Sequence, residues 1–265
     1  LQAPAVKRAA AALGLPLHQP ERLRGETELA WLASLRPDAL AVVAFGQILP
    51  PPVFSLPRLG AVNAHASLLP AWRGAAPIQW ALASGDTRTG VTTLCINAGL
   101  DTGDILLQRA LAIAPDETAP QLSRRLAQLA AELMVETFAG LAGGALPPVP
   151  QPPGATLAPR LSREDARVDW RRPAQQIFNR WRAFQPWPGL HCRFRGRQLA
   201  ILRCCPLPQL TAAPGLLMEY NSTLAVACGQ GGLRLDEVRL EGRQPTSGTD
   251  FARGARPVWG TDRFL

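Results

Sequence analysis

This 265-residue chain is poor in several things that would have set its class at once. It has a single lysine, Lys7, and only three histidines. Its five cysteines, Cys95, Cys192, Cys204, Cys205 and Cys228, form no Cys-x-x-Cys pair, which argues against a zinc site or a disulfide framework and for a reducing compartment. Each is expected as a small buried hydrophobe. No run approaches the roughly 20 apolar residues of a membrane helix. No signal peptide is read at the start, where Lys7 and Arg8 precede a short Ala run and Gly14-Leu15-Pro16. No Gly-x-Gly-x-x-Gly follows a strand pattern, which speaks against a dinucleotide oxidoreductase. No internal repeat is visible. The expectation is a soluble cytoplasmic protein.

Charge is unevenly placed. Residues 1–150 carry 11 Lys+Arg against 11 Asp+Glu, whereas residues 151–265 carry 17 Arg against 9 Asp+Glu. The whole +8 excess therefore lies in the second part. Such asymmetry points to a polyanionic partner for that part, nucleic acid or a membrane surface. An Arg-biased codon usage fits the lone lysine but not the confinement to one half.

The first part alternates helical and strand patterns. Val6 to Leu13 and Ala75 to Ser84 read as helices. Ala39 to Phe45 reads as a buried strand, and Gly60 to His65, Gly90 to Ile96 and Ile105 to Ile113 as further strands. Leu122, Leu126, Leu129, Leu133, Phe138 and Leu141 recur at helical spacing up to Gly143-Gly144. This alternation predicts an α/β domain with a parallel sheet. Six prolines between Leu146 and Pro159 predict a semi-extended linker. Beyond it, Pro173 to Phe184 reads as a helix. His191 to Arg195, Leu199 to Leu202, Leu216 to Tyr220, Thr223 to Cys228 and Leu233 to Leu240 read as short strands of a small barrel or sandwich. The predicted division is 1–145, a linker over 146–163, and 164–265.

Asn63 and His65 are two apart on one strand, so their side chains share a face at the strand's carboxyl end, where open α/β sheets bind ligands. An Asn-x-His pair by itself also fits a satisfied core pair. The irregular stretch Ser67 to Gly74 is rich in backbone groups suited to a flat heterocycle. Asp101, in Gly99-Leu-Asp-Thr-Gly-Asp104, follows another strand and could reach the histidine, although a turn-forming aspartate fits equally. The three residue types suit acyl transfer to an amine. An Asn amide can donate to an oxyanion, worth about 3 kcal/mol. A His can shuttle the proton or steady the oxyanion, and an Asp can orient the imidazole. No Ser or Cys nucleophile sits beside them, so direct transfer is the simpler reading.

The run Asn63-Ala-His-Ala-Ser-Leu-Leu-Pro-Ala-Trp-Arg-Gly-Ala-Ala-Pro-Ile78 resembles the signature of the methionyl-tRNA formyltransferase family. So do Val42-Val-Ala-Phe-Gly-Gln-Ile-Leu-Pro50 and Gly99 to Asp104, while Ala166-Arg-Val-Asp-Trp170 and Phe184-Gln-Pro-Trp-Pro188 resemble its second domain. The resemblance implies a Rossmann-like formyltransferase domain joined to an OB-like barrel that binds tRNA. It implies 10-formyltetrahydrofolate as formyl donor, no metal, and methionyl-initiator tRNA as acceptor. Asn63, His65 and Asp101 would be the catalytic set. Ser67, Leu68, Leu69 and Pro70 would line the folate site, and Phe45, Ile48 and Leu49 would wall the pterin pocket. Arg73, Arg193, Arg195 and Arg197 are the expected tRNA contacts, and a monomer without membrane attachment is expected.

Two departures stand out. The family's opening strand, helix and basic loop have no counterpart here, which predicts a natural protein longer at its N-terminus. Ala71 occupies a position where the family commonly carries a basic residue. The competing readings are a formyltransferase acting on a small amine such as glycinamide ribonucleotide, and a tRNA-binding protein without chemistry.

Overall fold

The computed structural model describes residues 3–265. Its first part holds α1 (Ala5–Ala12), α2 (Glu26–Ser34), β1 (Leu40–Val42), α3 (Pro51–Phe54), β2 (Ala61–His65), β3 (Arg73–Gly74), α4 (Pro77–Ser84), β4 (Arg88–Cys95), β5 (Ile105–Ala112) and α5 (Ala119–Ala142). The main sheet runs β1-β2-β4-β5. The expected parallel pairing is present between β1 and β2, but β2–β4 and β4–β5 pair antiparallel, so the sheet is mixed. For β4–β5 the reason lies in the connection: the two strands are joined by a short turn with no crossover helix, and such a turn can return only antiparallel. β1 is shorter than the expected 39–45 strand and lies at the sheet edge. Ala44 turns left-handed at φ 49°, and Val43 and Phe45 stay exposed rather than buried.

α5 follows directly from its sequence. Gln121 Oε1 accepts from the Thr118 backbone N–H at 2.8 Å, and Pro120 stands in the first turn, where its missing N–H costs nothing. Leu122, Leu126 and Leu133 form one buried stripe against the sheet, each contributing about 1.5–3 kcal/mol of apolar burial.

The proline-rich segment is extended, as expected, but it is pinned rather than free. Val149 exchanges two backbone hydrogen bonds with Ile105, of 2.8 and 2.9 Å. Further on, β6 (Leu157–Ala158) pairs parallel with β3. Thr156 Oγ1 also accepts from Trp72 N at 2.8 Å. The segment is a strap laid over the first part.

The second part contains a short 3-10 turn (Glu164–Ala166), α6 (Ala174–Ala183), β7 (Leu190–Phe194), β8 (Arg197–Leu207), β9 (Leu217–Tyr220), β10 (Thr223–Ala227), β11 (Gly232–Leu240), β12 (Thr246–Ser247) and α7 (Gly248–Ala255). The strands form one antiparallel sheet, β7-β8-β11-β10-β9, with β12 on β11. The β7–β8 and β9–β10 turns are tight because Arg195-Gly196 and Asn221-Ser222 all take positive φ, which matches the twist of the flanking strands. The ladder does not close into a barrel. Instead residues 262–265 run between its ends, bonding Arg193 through Leu265 and Gly215 through Phe264.

One apolar core continues from the first part into the second, with α4 packed on α6. The Trp80 and Phe184 rings meet edge-on at 6.1 Å, and Trp80 Nε1 donates to Pro159 O at 2.8 Å. Cys192, Cys204 and Cys228 are buried thiols without disulfides, and burial pushes Cys228 up to about 12. No described helix is long and apolar enough to cross a membrane.

Candidate active site

β2 delivers Asn63 and His65 to the same face, as the two-residue period requires. The turn between β4 and β5 brings Asp101 to them. Asn63 Nδ2 donates to Asp101 Oδ1 at 3.3 Å, and Asp101 Oδ2 lies 3.6 Å from His65 Nδ1. The three expected catalytic residues are therefore together. Both His65 and Asp101 are largely shielded from solvent, with side chains 6% and 12% exposed.

Main-chain groups complete the arrangement. His65 Nε2 lies 2.9 Å from Trp72 O. A carbonyl only accepts, so Nε2 carries the proton and Nδ1 of the neutral ring is left free to take one. A proton gained there puts positive charge beside the Asp101 carboxylate. Gly74 N donates to Asp101 Oδ2 at 2.9 Å. Asp101 itself holds φ at 51°, a left-handed conformation that Asp tolerates better than most residues. Gly103 lies where no Cβ fits: one would fall 1.7 Å from Cys95 O. This close approach keeps the turn tight against β4.

Asn63, His65 and Asp101 line one side of a cavity of about 670 Å³. Phe45, Ile48 and Leu49 also line it, joined by Ile78, Ile96, Leu100 and Leu126. The sequence reading missed these last four, which come from helices and loops remote in the chain. Ser67, Leu68, Leu69 and Pro70 do not line it. Their segment is bonded into the body: Ser67 Oγ donates to Ala71 O, Leu69 N donates to Thr92 Oγ1, and Leu69 O accepts from Gln108 Nε2. Those residues shape the loop that carries Trp72 and Gly74.

The four arginines are placed differently from one another. Arg73 is half-buried and donates twice to Gln151 Oε1, at 3.0 and 2.6 Å. Arg195 is paired with Asp262 at 2.6 Å, and Arg197 donates to the Glu241 carbonyl. Arg193 is exposed and makes one long contact, 3.4 Å to Gly196 O. Arg193, Arg195 and Arg197 cluster at one hairpin, far in sequence from Arg73.

Two family models match the chain, "Formyl transferase" over residues 2–138 and "Formyl transferase, C-terminal domain" over residues 160–256. A methionyl-tRNA formyltransferase of Acidobacterium capsulatum is 50% identical over 256 residues, covering 95% of this chain and 82% of the relative. One of Solibacter usitatus is 49% identical over 253 residues, covering 95% and 81%. Among solved structures, WlaRD, a sugar 3N-formyl transferase crystallised with dTDP and 5-N-formyl-THF, aligns with TM-score 0.66 at 14% identity, covering 90% of this chain and 82% of that one. The Clostridium thermocellum methionyl-tRNA formyltransferase aligns with TM-score 0.55 at 20% identity, covering 69% and 79%. At those identities the solved structures speak for the fold. The two family models and the relatives near half identity speak for descent: the chain belongs to the formyl transferase family.

Proposed function

We infer that the chain is a methionyl-tRNA formyltransferase, moving a formyl group from 10-formyltetrahydrofolate to the amino group of methionyl-initiator tRNA. The observation that carries the chemistry is the joining of Asn63, Asp101 and His65 on one wall of a cavity of about 670 Å³, a size typical of small-ligand sites. The choice of tRNA as acceptor is supported by relatives near half identity along 95% of the chain, and by the Arg excess of the second part.

The cavity is proposed to take a flat reduced pterin: Phe45, Ile48, Leu49 and Leu126 give it apolar walls, and Asn63, His65 and Asp101 supply polar groups. A bound formyl-folate supplies the electrophilic carbonyl. Asn63 has a second amide N–H to donate to oxygen as negative charge develops there, a contribution of about 3 kcal/mol. His65 Nδ1 accepts the proton that the attacking amine must lose and returns it to the folate nitrogen as the formyl–nitrogen bond breaks, so that tetrahydrofolate leaves neutral at that atom. Asp101 steadies the resulting charge and orients the Asn63 amide. Trp72 O keeps the ring in the tautomer that leaves Nδ1 available. Transfer is direct: Cys95 and Ser123 also line the cavity, but neither hydrogen-bonds to Asn63, His65 or Asp101, and burial, with Asp104 nearby, pushes the Cys95 thiol up.

The proposed division is a catalytic unit over 1–145, the strap over 146–163 and a tRNA-binding unit over 164–265. Arg193 is the freest of the arginines proposed to meet phosphate. The protein acts in the cytoplasm. A small-amine acceptor such as glycinamide ribonucleotide gives the second unit nothing to do, and binding without chemistry leaves the Asn-His-Asp cluster unexplained.

The test is single-turnover formyl transfer to charged initiator tRNA by Asn63→Ala, His65→Ala and Asp101→Ala. Each is expected to lose about 10²-fold or more while still binding folate. Undiminished transfer by any of the three removes that residue from the set. Equal activity on the ribonucleotide would overturn the acceptor.

A further inference from the structure

Gln151 lies on the strap, 50 residues beyond Asp101 in the chain. Its side-chain Nε2 donates to Asp101 O and to Gly103 O, both at 2.8 Å. Its Oε1 accepts from Arg73 Nε at 3.0 Å and Arg73 Nη2 at 2.6 Å. A primary amide has two N–H donors and two acceptor lone pairs, and here all four are used. The orientation of the amide is unambiguous, because main-chain carbonyls only accept and a guanidinium only donates.

The two things it joins are the two supports of the proposed catalytic carboxylate. Asp101 and Gly103 belong to the turn that carries the carboxylate. Arg73 is the first residue of β3, and the next residue, Gly74, donates its N–H to Asp101 Oδ2 at 2.9 Å. Gln151 therefore fixes the main chain of Asp101 and, through Arg73, the strand that grips its side chain. Such a clamp has something to hold. Asp101 sits at φ 51°, and non-glycine residues keep such conformations only where their surroundings over-determine them.

We infer that Gln151 is a positioning residue for formyl transfer, holding Asp101 against Asn63 and His65 from the strap. The inference rests on the role proposed above for Asp101. It also changes the reading of Arg73, whose guanidinium works inward, on Gln151.

The experiment uses the full chain with Gln151→Glu, Gln151→Met, Arg73→Ala and Asp101→Ala. Gln151→Glu keeps an acceptor for Arg73 and removes both N–H donors. It is expected to lower kcat by about a hundredfold, the scale of a misplaced catalytic group. The KM for folate should stay within about twofold, because the cavity walls are untouched. The acid limb of the pH–rate profile should shift as Asp101 moves relative to His65, and the rate per folded molecule should fall beyond whatever lowering of melting temperature the lost hydrogen bonds bring. Gln151→Met should do the same, and it decides the matter if the Glu variant fails to fold. Wild-type kcat in Gln151→Glu, with loss confined to Arg73→Ala, would mean that Gln151 merely props the arginine, and the inference falls. So does a loss of rate that only mirrors a loss of folded protein, with an unmoved pH profile. If Asp101→Ala is itself fully active, the catalytic reading fails and takes this one with it; an inactive Asp101→Ala beside an active Gln151→Glu overturns the positioning role alone.

Discussion

Gly74→Ala is a one-carbon change that strikes the fold and the chemistry together. Gly74 holds φ at 122°, a region open to glycine and costly to any L side chain, by about 1–3 kcal/mol. An added Cβ would lie 2.7 Å from Ala158 O and 3.2 Å from Ala158 C. Both atoms are main chain, so β3 and β6 must separate rather than a side chain swing aside. The bonds at risk are Arg73 N to Thr156 O at 2.9 Å and Ala76 N to Ala158 O at 3.2 Å. Losing one adds about 1 kcal/mol to the strain, so folding should weaken by roughly 2–4 kcal/mol. For a chain of this size that lowers Tm by about 5–15 °C. The same movement withdraws the Gly74 N–H from Asp101 Oδ2. A hydrogen bond to a charged group is worth about 1.5–3 kcal/mol, which corresponds to a rate loss of about 10- to 100-fold in the folded enzyme. Calorimetry and single-turnover transfer measure the two effects separately. A variant that melts with the wild type, or one that melts lower but turns over at full rate when folded, would refute the coupling between strap and carboxylate.

Arg182 is 4% exposed where α6 meets the first part, donating to Asn179 Oδ1 at 3.0 Å and to Ala114 O and Glu117 O at 3.4 Å, and burial holds its guanidinium below the usual arginine range. Arg182→Ala should cost about 2–4 kcal/mol through unpaired carbonyls and a void, read as a lower urea midpoint; an unchanged midpoint removes this residue from the junction. Arg193→Gln should reduce the log–log salt slope of tRNA binding by about 0.9, whereas Arg195→Gln should reduce it less because Asp262 already neutralises that charge. Equal slopes for the two variants would contradict that ranking. Burial chiefly, helped by Arg167 and Arg193 and opposed by Glu164, holds His191 below its ordinary 6.5, so the unfolded chain takes up the proton first. Stability should be full above pH 6.5 and fall as pH drops from 6.5 towards the depressed value, and His191→Gln should flatten that part of the Tm–pH curve.

Much of the site was legible because it depends on local rules. The spacing of Asn63 and His65 fixes a shared face on any strand, and a Gly-flanked Asp after a strand is placed to turn back. The apolar stripe of α5 and the 173–184 helix follow from the 3.6-residue period. Strand direction was not legible, since the side-chain pattern of β4 is the same whichever way it runs. α2 went unread because Glu-Thr-Glu-Leu-Ala-Trp-Leu-Ala-Ser buries only Leu32 and carries little periodic signal. α7 begins at Gly248-Thr249-Asp250, residues that favour turns, and its helix is held by the Ser247 cap and the buried Phe251. Ser67 to Pro70 are expected at the folate site from the family resemblance, on a stretch rich in backbone groups. Thr92 and Gln108, distant in the chain, take those groups up. Gln151 had no signal at all: a polar residue among prolines looks like a solvated linker until the turn that it holds is in place.

The tail that runs between the ends of the second sheet bears on how crowded copies of this protein behave. An edge strand with free N–H and C=O groups invites pairing with another chain, and β7 is such a strand on the side away from β8. Leu265 exchanges both backbone hydrogen bonds with Arg193, and Phe264 packs its ring against Phe194. Val149 treats Ile105 of β5 in the same way on the first sheet. These two edges meet a short irregular segment of their own chain before they can meet a stranger. Displacing residues 262–265 would uncover β7 and open a path to intermolecular β-pairing, so aggregation during refolding should depend on those few residues more than on the apolar content of the strands they cover.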